Sequence, residues 1–275
     1  MERPRPRLLA TSDLHVASRD NRRAVSEIPA HPDDWLIIAG DVGDNAAHLG
    51  WTLETLVPRF ARVIWVPGNH DLWTRPKSDE TAGVARYEQL VEICRAYDVL
   101  TPEDPFPVFP TAAGPVVVAP LFTFYDYSFR DPRLTKQQAL EAAEAAKIVC
   151  ADEFLILPDP YSTHDAWCAA RVNHTELRLD LIPSDLPTVL VSHFPLRRDL
   201  INLPYIPQFE LWCGTTKTDD WHLRYRAIAV VSGHTHRPVT LWRDGVRFEE
   251  VSFGNPAERR RRGVDQVELR EILPG

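Results

Sequence analysis

The chain has 275 residues, of which 44% are hydrophobic and 25% charged, with a net charge of −8 at neutral pH. This is the balance of a globular protein with one large domain or two small ones, and it argues against a general binder of nucleic acid or anionic membranes. Cys94, Cys150, Cys168 and Cys213 are far apart and form no C-x-x-C pair, which excludes a zinc ribbon or a dithiol redox motif and suits reduced cytoplasmic thiols.

The first seven residues read as a polar, proline-rich arm in which Arg3, Arg5 and Arg7 alternate with prolines. No apolar leader is expected there, and no later run approaches the ~18 apolar residues of a membrane span. Arg7 to Ser12 predicts a short buried strand delivering Asp13 and His15 at its tip. Residues Arg19 to Ala30 suit a helix or a loop. Trp35 to Ala39 predicts a strand buried on both faces, ending in Gly40-Asp41-Val42-Gly43-Asp44. Trp51 to Arg59 suits a short helix, and Arg62 to Val66 a third strand ending in Gly68-Asn69-His70-Asp71. Strands alternating with helical segments predict βαβ units and a mainly parallel sheet.

An amphipathic helix is expected over Tyr87 to Tyr97, and a strand over Pro115 to Ala119 within a proline-dense stretch. Leu121 to Phe129 is strongly aromatic, and helical stretches follow at about 135–157 and 163–181. We expect one domain over 1–275, with 121–183 as a cap or insertion over the sheet edge. Leu186 to Ser192 is a further strand capped by His193. Arg226 to Ser232 is another, with Gly233-His234-Thr235-His236 at its tip. Val239–Trp242 and Val246–Ser252 flank Asp244-Gly245, a hairpin signal. From Asn255 a polar tail is expected, carrying four consecutive arginines, Arg259 to Arg262; these read as a solvated face or a docking site for an acidic partner.

Any one of these polar strand tips has a structural explanation as a turn, a helix cap or a hydrogen-bonded loop histidine. Their recurrence at the same end of successive strands points to a ligand site, because ligands of open α/β sheets gather at the carboxyl ends of strands. Carboxylate, carboxamide oxygen and imidazole without thiolate exclude a structural zinc site and suit Mn, Fe, Zn, Co or Ni. The candidates Asp13, His15, Asp41, Asn69, His193, His234 and His236 exceed the needs of one ion. Two ions about 3.5–4 Å apart, sharing one carboxylate, divide them and can clamp a phosphoryl group for attack by hydroxide.

The motifs Asp13-x-His15, Gly40-Asp41-x-x-Asp44, Gly68-Asn69-His70-Asp71, His193 and Gly233-His234-x-His236 resemble those of the calcineurin-like metallophosphoesterases, in the same order. The resemblance implies a four-layer αββα sandwich and a dinuclear centre. Asp13, His15 and His236 would hold the first metal, and Asn69, His193 and His234 the second. Asp41 would bridge them. His70 would be a transition-state stabiliser or acid rather than a ligand, with Asp44 as the carboxylate that orients it; on its own, Asp44 also reads as a helix N-cap. Asn45 stands where the protein Ser/Thr phosphatase branch has arginine, which argues against that branch.

A narrower likeness to the actinobacterial phosphopantetheinyl hydrolases rests on Asp33–Ile37, Val63–His70, Trp212–Thr218 and Asp244–Glu250. It implies removal of 4′-phosphopantetheine from holo acyl carrier protein, by attack of a metal-held hydroxide on phosphorus, with manganese as the expected metal. An acidic carrier would require a local basic surface, for which Arg197, Arg198 and Arg259–Arg262 are candidates. The aromatic run could line a slot for the pantetheine arm or simply pack the core. Lys217, Thr215 and Thr216 suit either phosphate contact or a structural loop. A nucleophilic role for Cys213 is not expected beside Trp212 with no assigned base. The alternative functions are a small-molecule or nucleotide phosphodiesterase or phosphatase, and a metal-binding scaffold without catalysis; nucleic acid and membrane are not expected partners.

Overall fold

A computed structural model of the chain describes residues 5–75 and 81–274; Arg3 lies outside them. The first half contains β1 (Leu8–Thr11), α1 (Arg19–Ser26), β2 (His31–Ile38), α2 (Ala46–Leu56), β3 (Phe60–Trp65), α3 (Asn69–Leu72), α4 (Gly83–Ala96), β4 (Val108–Thr111) and β5 (Gly114–Pro120). The second contains α5 (Lys136–Ala145), α6 (Asp152–Leu155), α7 (His164–Leu179), β6 (Thr188–Val191), α8 (Trp221–Arg224), β7 (Ala227–Ser232), β8 (Val239–Arg243), β9 (Val246–Glu250), α9 (Pro256–Arg262) and β10 (Arg270–Leu273).

These strands form two sheets. The smaller has the order β10-β1-β2-β3 and the larger β4-β5-β6-β7-β9-β8. Pairing is parallel at the centre of each sheet, with β10, β4 and β8 antiparallel at the edges. The sheets face each other across one core. Leu8, Ala10, Ile37, Ala39 and Ile64 from the first meet Val116, Val118, Val189, Val191, Ala229 and Val231 from the second. Alternate residues point away from that core because side chains switch faces at every step along a strand. Leu9, Leu36, Ile38, Val63 and Trp65 therefore join Leu49, Leu53 and Leu90 of the helices, and Leu190 and Val230 join Trp167 and Val172 of α7. Burial on both faces is why these strands read as unbroken apolar runs. The αββα sandwich expected from the sequence is the observed architecture.

Several boundaries moved. The proline-dense stretch hides edge strand β4, in which Pro110 is tolerated because an edge leaves one ladder side unpaired. The helical stretch at 135–157 is two helices, α5 and α6, separated by a turn. The expected polar tail folds as α9 and then β10, which closes the smaller sheet against β1. Helix α9 begins with a capping box: the Asn255 carboxamide accepts from the Ala257 and Glu258 amides, and Glu258 accepts from Asn255 N–H. The Asp244-Gly245 hairpin turns between β8 and β9, both residues having positive φ, 52° and 78°.

The aromatic run is core. Phe122, Phe124, Tyr125, Tyr127 and Phe129 are buried, and Phe122 and Phe124 pack against Trp167 with ring centroids 5.6 and 5.4 Å away. Of the run, Phe129 borders a cavity of about 270 Å³ with Arg130 and Leu134. The arginine run does not form one basic face. Arg259 is buried and donates to Asn21 Oδ1 and Val264 O, while Arg262 turns back onto the Ser252 and Phe253 carbonyls.

Candidate metal centre

All seven candidate ligands lie where the two sheets converge. The first strand continues past β1 and makes a parallel bridge from Ser12 to Ser252, which follows β9. Phe253 and Gly254 N–H donate to the Ser12 and Asp13 carbonyls. The tips turn sharply there: Asp13, His15, Asp41, His234 and His236 all have positive φ, between 43° and 71°. Non-glycine residues in that region are uncommon and cluster at functional sites. Gly40 leads into the Asp41 turn at φ 87°; a Cβ there would stand 2.6 Å from His193 Nδ1. Gly68 lets the third tip approach Asp41, since its Cβ would meet Asp41 Oδ1 at 2.1 Å. Asp71 fastens both tips by accepting backbone N–H bonds from Asp41, Val42, Gly43 and Gly68 at 2.9–3.3 Å.

The side chains fall into two clusters. In one, Asp13, His15, Asp41 and His236 converge. His236 Nε2 is 3.0 Å from both His15 Nε2 and Asp13 Oδ1, and His15 Nε2 is 3.9 Å from Asp41 Oδ2. In the other, Asn69 Oδ1 is 3.1 Å from His193 Nε2 and 3.0 Å from His234 Nδ1, while His193 Nε2 is 3.5 Å from Asp41 Oδ1. Asp41 stands between the clusters with one carboxylate oxygen toward each.

The polar partners of these residues determine which atoms are offered. His236 donates Nδ1–H to Glu258 at 2.6 Å, and His193 donates Nδ1–H to the Ala39 carbonyl at 2.8 Å. Asn69 donates Nδ2–H to Asp152 at 3.0 Å. Asp13 Oδ2 is taken by the Ser12 and Ser252 hydroxyls at 2.5 and 2.7 Å and by His234 N–H at 3.1 Å. What remains turned inward is Asp13 Oδ1, two imidazole Nε2 atoms and a carboxamide oxygen. Such a set of acceptors about 3 Å apart needs a cation among it: against the cost of burial, Asp13 and Glu258 make His236 take up a proton in the metal-free chain, and the residues present fit divalent metal ions that would displace that proton. Burial lowers the His15 and His234 imidazoles to about 4 and about 3, leaving them neutral and able to ligate. Burial opposes ionisation of Asp13, but His236 outweighs it and keeps the carboxylate charged.

His70 stands at the edge of this centre. Its Nδ1 is 3.2 Å from Asp44 Oδ1, its Nε2 is 4.0 Å from Asp41 Oδ2, and its backbone N–H donates to Asp41 Oδ1. Burial disfavours its charged form, but Asp41 and Asp44 outweigh that and raise its pKa. Asp44 is not the helix cap, because Asn45 caps α2 through a bond from His48 N–H. Asp44 also accepts from Arg75 at 3.1 Å. Arg197 pairs with Asp199 and Asp244, Arg198 with Glu210, and Lys217 with Asp126; the Thr215 hydroxyl also donates to Asp126. Cys213 is buried with its thiol pushed up by burial, which removes a nucleophilic role.

Beside His236 opens a cavity of about 520 Å³ with an apolar lining that includes Leu200, Leu241 and Phe248, and with Arg237 and Arg261 among its lining residues. Sequence reasoning missed the supporting residues Asp152, Glu258, Ser252 and Asp71. Two of them had a readable signal: Asp71 closes the Gly68-Asn69-His70-Asp71 motif, and Glu258 completes the N-x-x-E of the α9 capping box.

Two converging sheets with a carboxylate, carboxamide and imidazole cluster at their shared edge define a metallophosphoesterase, and the family model for calcineurin-like phosphoesterases matches residues 6–238. The chain belongs to that family. It is 48% identical over 272 residues, 98% of this chain and 84% of the relative, to the [acyl-carrier-protein] phosphodiesterase PptH of Mycobacterium tuberculosis. The crystal structure of that phosphopantetheinyl hydrolase superposes with a TM-score of 0.94, covering 99% of this chain and 97% of the other.

Proposed function

We propose that this chain removes 4′-phosphopantetheine from holo acyl carrier protein by hydrolysing the phosphodiester to the carrier's serine. The observation that carries this reading is the 48% identity to PptH across nearly the whole of both folded chains. We assign two ions, manganese first among the candidates: Asp13, His15 and His236 for one, Asn69, His193 and His234 for the other, and Asp41 for both. Ions bound there supply a hydroxide at neutral pH and neutralise charge on the phosphoryl oxygens. His70 donates a proton to the departing oxygen, and Asp44 holds its Nδ1 so that Nε2 faces the centre. The cavity beside His236 is the place we assign to part of the substrate, with Arg237 and Arg261 toward an acidic carrier. We infer a single domain over 1–275 in which 121–183 supplies α7 to the outer layer and covers the Asn69 side of the centre through α6, and the protein works in the cytoplasm.

The test is the intact mass of holo acyl carrier protein incubated with enzyme and Mn²⁺, beside an Asp41→Asn control. Loss of the phosphopantetheine mass with the enzyme alone is the expected result. An unchanged carrier, with the same preparation cleaving bis-p-nitrophenyl phosphate, rejects the carrier and leaves a small-molecule phosphodiesterase.

A further inference from the structure

Asp152 is 1% exposed and lies on α6, within the stretch that the sequence presents as a cap. Among the described residues it pairs with no lysine or arginine. Its Oδ1 accepts from Asn69 Nδ2 at 3.0 Å and from Trp73 Nε1 at 2.7 Å, while its Oδ2 is buried without a hydrogen-bond partner. Burying a carboxylate in this way is costly, so its retention calls for a reason. Asn69 supplies one. The two ends of a carboxamide have nearly the same shape and opposite chemistry. If the Asn69 side chain turned over, its NH₂ would point between His193 and His234, where Oδ1 now lies 3.1 and 3.0 Å from their nitrogens.

We propose that Asp152 is a positioning residue: it accepts from Asn69 Nδ2 and so presents Asn69 Oδ1, not the amide nitrogen, to a divalent cation between His193 and His234. This rests on the ligand assignment above. A carboxylate suits the task because it only accepts and has no wrong face, whereas a second carboxamide could turn over with the first. Helix α6 is itself held still. Thr74 N–H donates to the Leu155 carbonyl at 2.7 Å, and Glu153 accepts from the Tyr127 hydroxyl and Trp212 Nε1 at 2.8 and 2.6 Å. The same Asp152 oxygen holds the Trp73 indole, which lies over the His70 ring with centroids 3.6 Å apart. One acceptor thus fixes a ligand and the surface against which the proposed acid rests.

The experiment is titration of the metal-free full chain with Mn²⁺, followed by electron paramagnetic resonance of the unbound ion, with thermal melting as the folding control. Wild type is expected to take up two equivalents. In Asp152→Ala one equivalent weakens by about 10–100-fold and the other is unchanged. Asn69→Asp alone sets two carboxylates against each other and weakens the same equivalent. The double variant Asn69→Asp/Asp152→Asn exchanges donor and acceptor and restores it, a coupling that general loosening of the fold does not produce. Two equivalents at wild-type affinity in Asp152→Ala, or no recovery in the double variant, overturns the inference. If Asp152→Ala fails to fold, the comparison of Asn69→Asp with the double variant decides. A wild-type chain binding fewer than two equivalents overturns the ligand assignment instead.

Discussion

The two clusters of the metal centre share Asp41 but are fastened in different ways. The one around His15 and His236 is held by charge: Asp13 lies on one side of His236 and Glu258 on the other, at 3.0 and 2.6 Å. The one around Asn69, His193 and His234 has no carboxylate of its own and is set by hydrogen bonds to a backbone carbonyl and to Asp152. Burial opposes the charged form of His236, yet Asp13 and Glu258 outweigh it and raise its pKa well above the ordinary value. Ligands carrying more negative charge hold a divalent ion more tightly, because Coulomb attraction is little screened in a buried site. The two ions need not be held equally: the Asp13 side is built for affinity, and the Asn69 side depends on how its carboxamide and imidazoles are oriented.

Asp41 is the point at which the comparison breaks most completely. Asp41→Asn removes the charge both clusters share, and it is expected to abolish uptake of both Mn²⁺ equivalents and reduce turnover of bis-p-nitrophenyl phosphate to background. Retention of one tight equivalent would mean that one cluster stands alone. His70→Ala should leave both equivalents in place and lower kcat by about 10²–10⁴-fold, the usual contribution of a well-matched acid. A near-normal rate removes the acid assignment. Glu258→Ala should sharpen the contrast: affinity for one equivalent falls about 10–100-fold while the Asn69 side is untouched, as metal uptake and residual occupancy will read out.

The smallest expected effect lies outside both clusters. Asp34, buried on β2, accepts from the Arg7 amide and guanidinium immediately before β1. Burial opposes its ionisation, but Arg7 outweighs burial and lowers its pKa. The depressed value means that the pair's stabilisation is present above the ordinary carboxylate range and is lost as pH falls through the folded-state value. Arg7 is 43% exposed at its side chain, so solvent screening holds the contribution to about 0.5–1 kcal/mol. Asp34→Asn should lower the melting temperature slightly at pH 7, with the difference vanishing in acid and metal uptake unchanged.

How much of this was legible follows from range. Strand tips are local events: an apolar run buried on both faces, then a turn carrying Asp, Asn or His, is readable wherever it occurs. Asp13, His15, Asp41, Asn69, His193, His234 and His236 could therefore be named from the chain and are brought together at one edge. The hairpin at Asp244-Gly245 was legible for the same reason, since both positions demand positive φ. The polar segment after Asn255 was not, because β10 forms only by pairing with β1 at the opposite end of the chain. Nor was the fate of Arg259, whose carboxamide partner Asn21 lies 238 residues away, or of Arg262, whose carbonyl partners on Ser252 and Phe253 are reached only because α9 folds back on the strand end.

What the sequence determined by itself was the buried strands and the residue types at their tips, because burial pattern and donor chemistry are properties of short segments; the family and its sandwich followed from the resemblance those motifs carry. Tertiary structure alone decided how those atoms are aimed. Glu258 reaches His236 from 22 residues away and Asp152 reaches Asn69 from 83, so neither contact has a sequence spacing that marks it. Both depend on the packing of α9 and α6 against the strand tips, where a hydrogen bond of the right length selects one tautomer or one amide face.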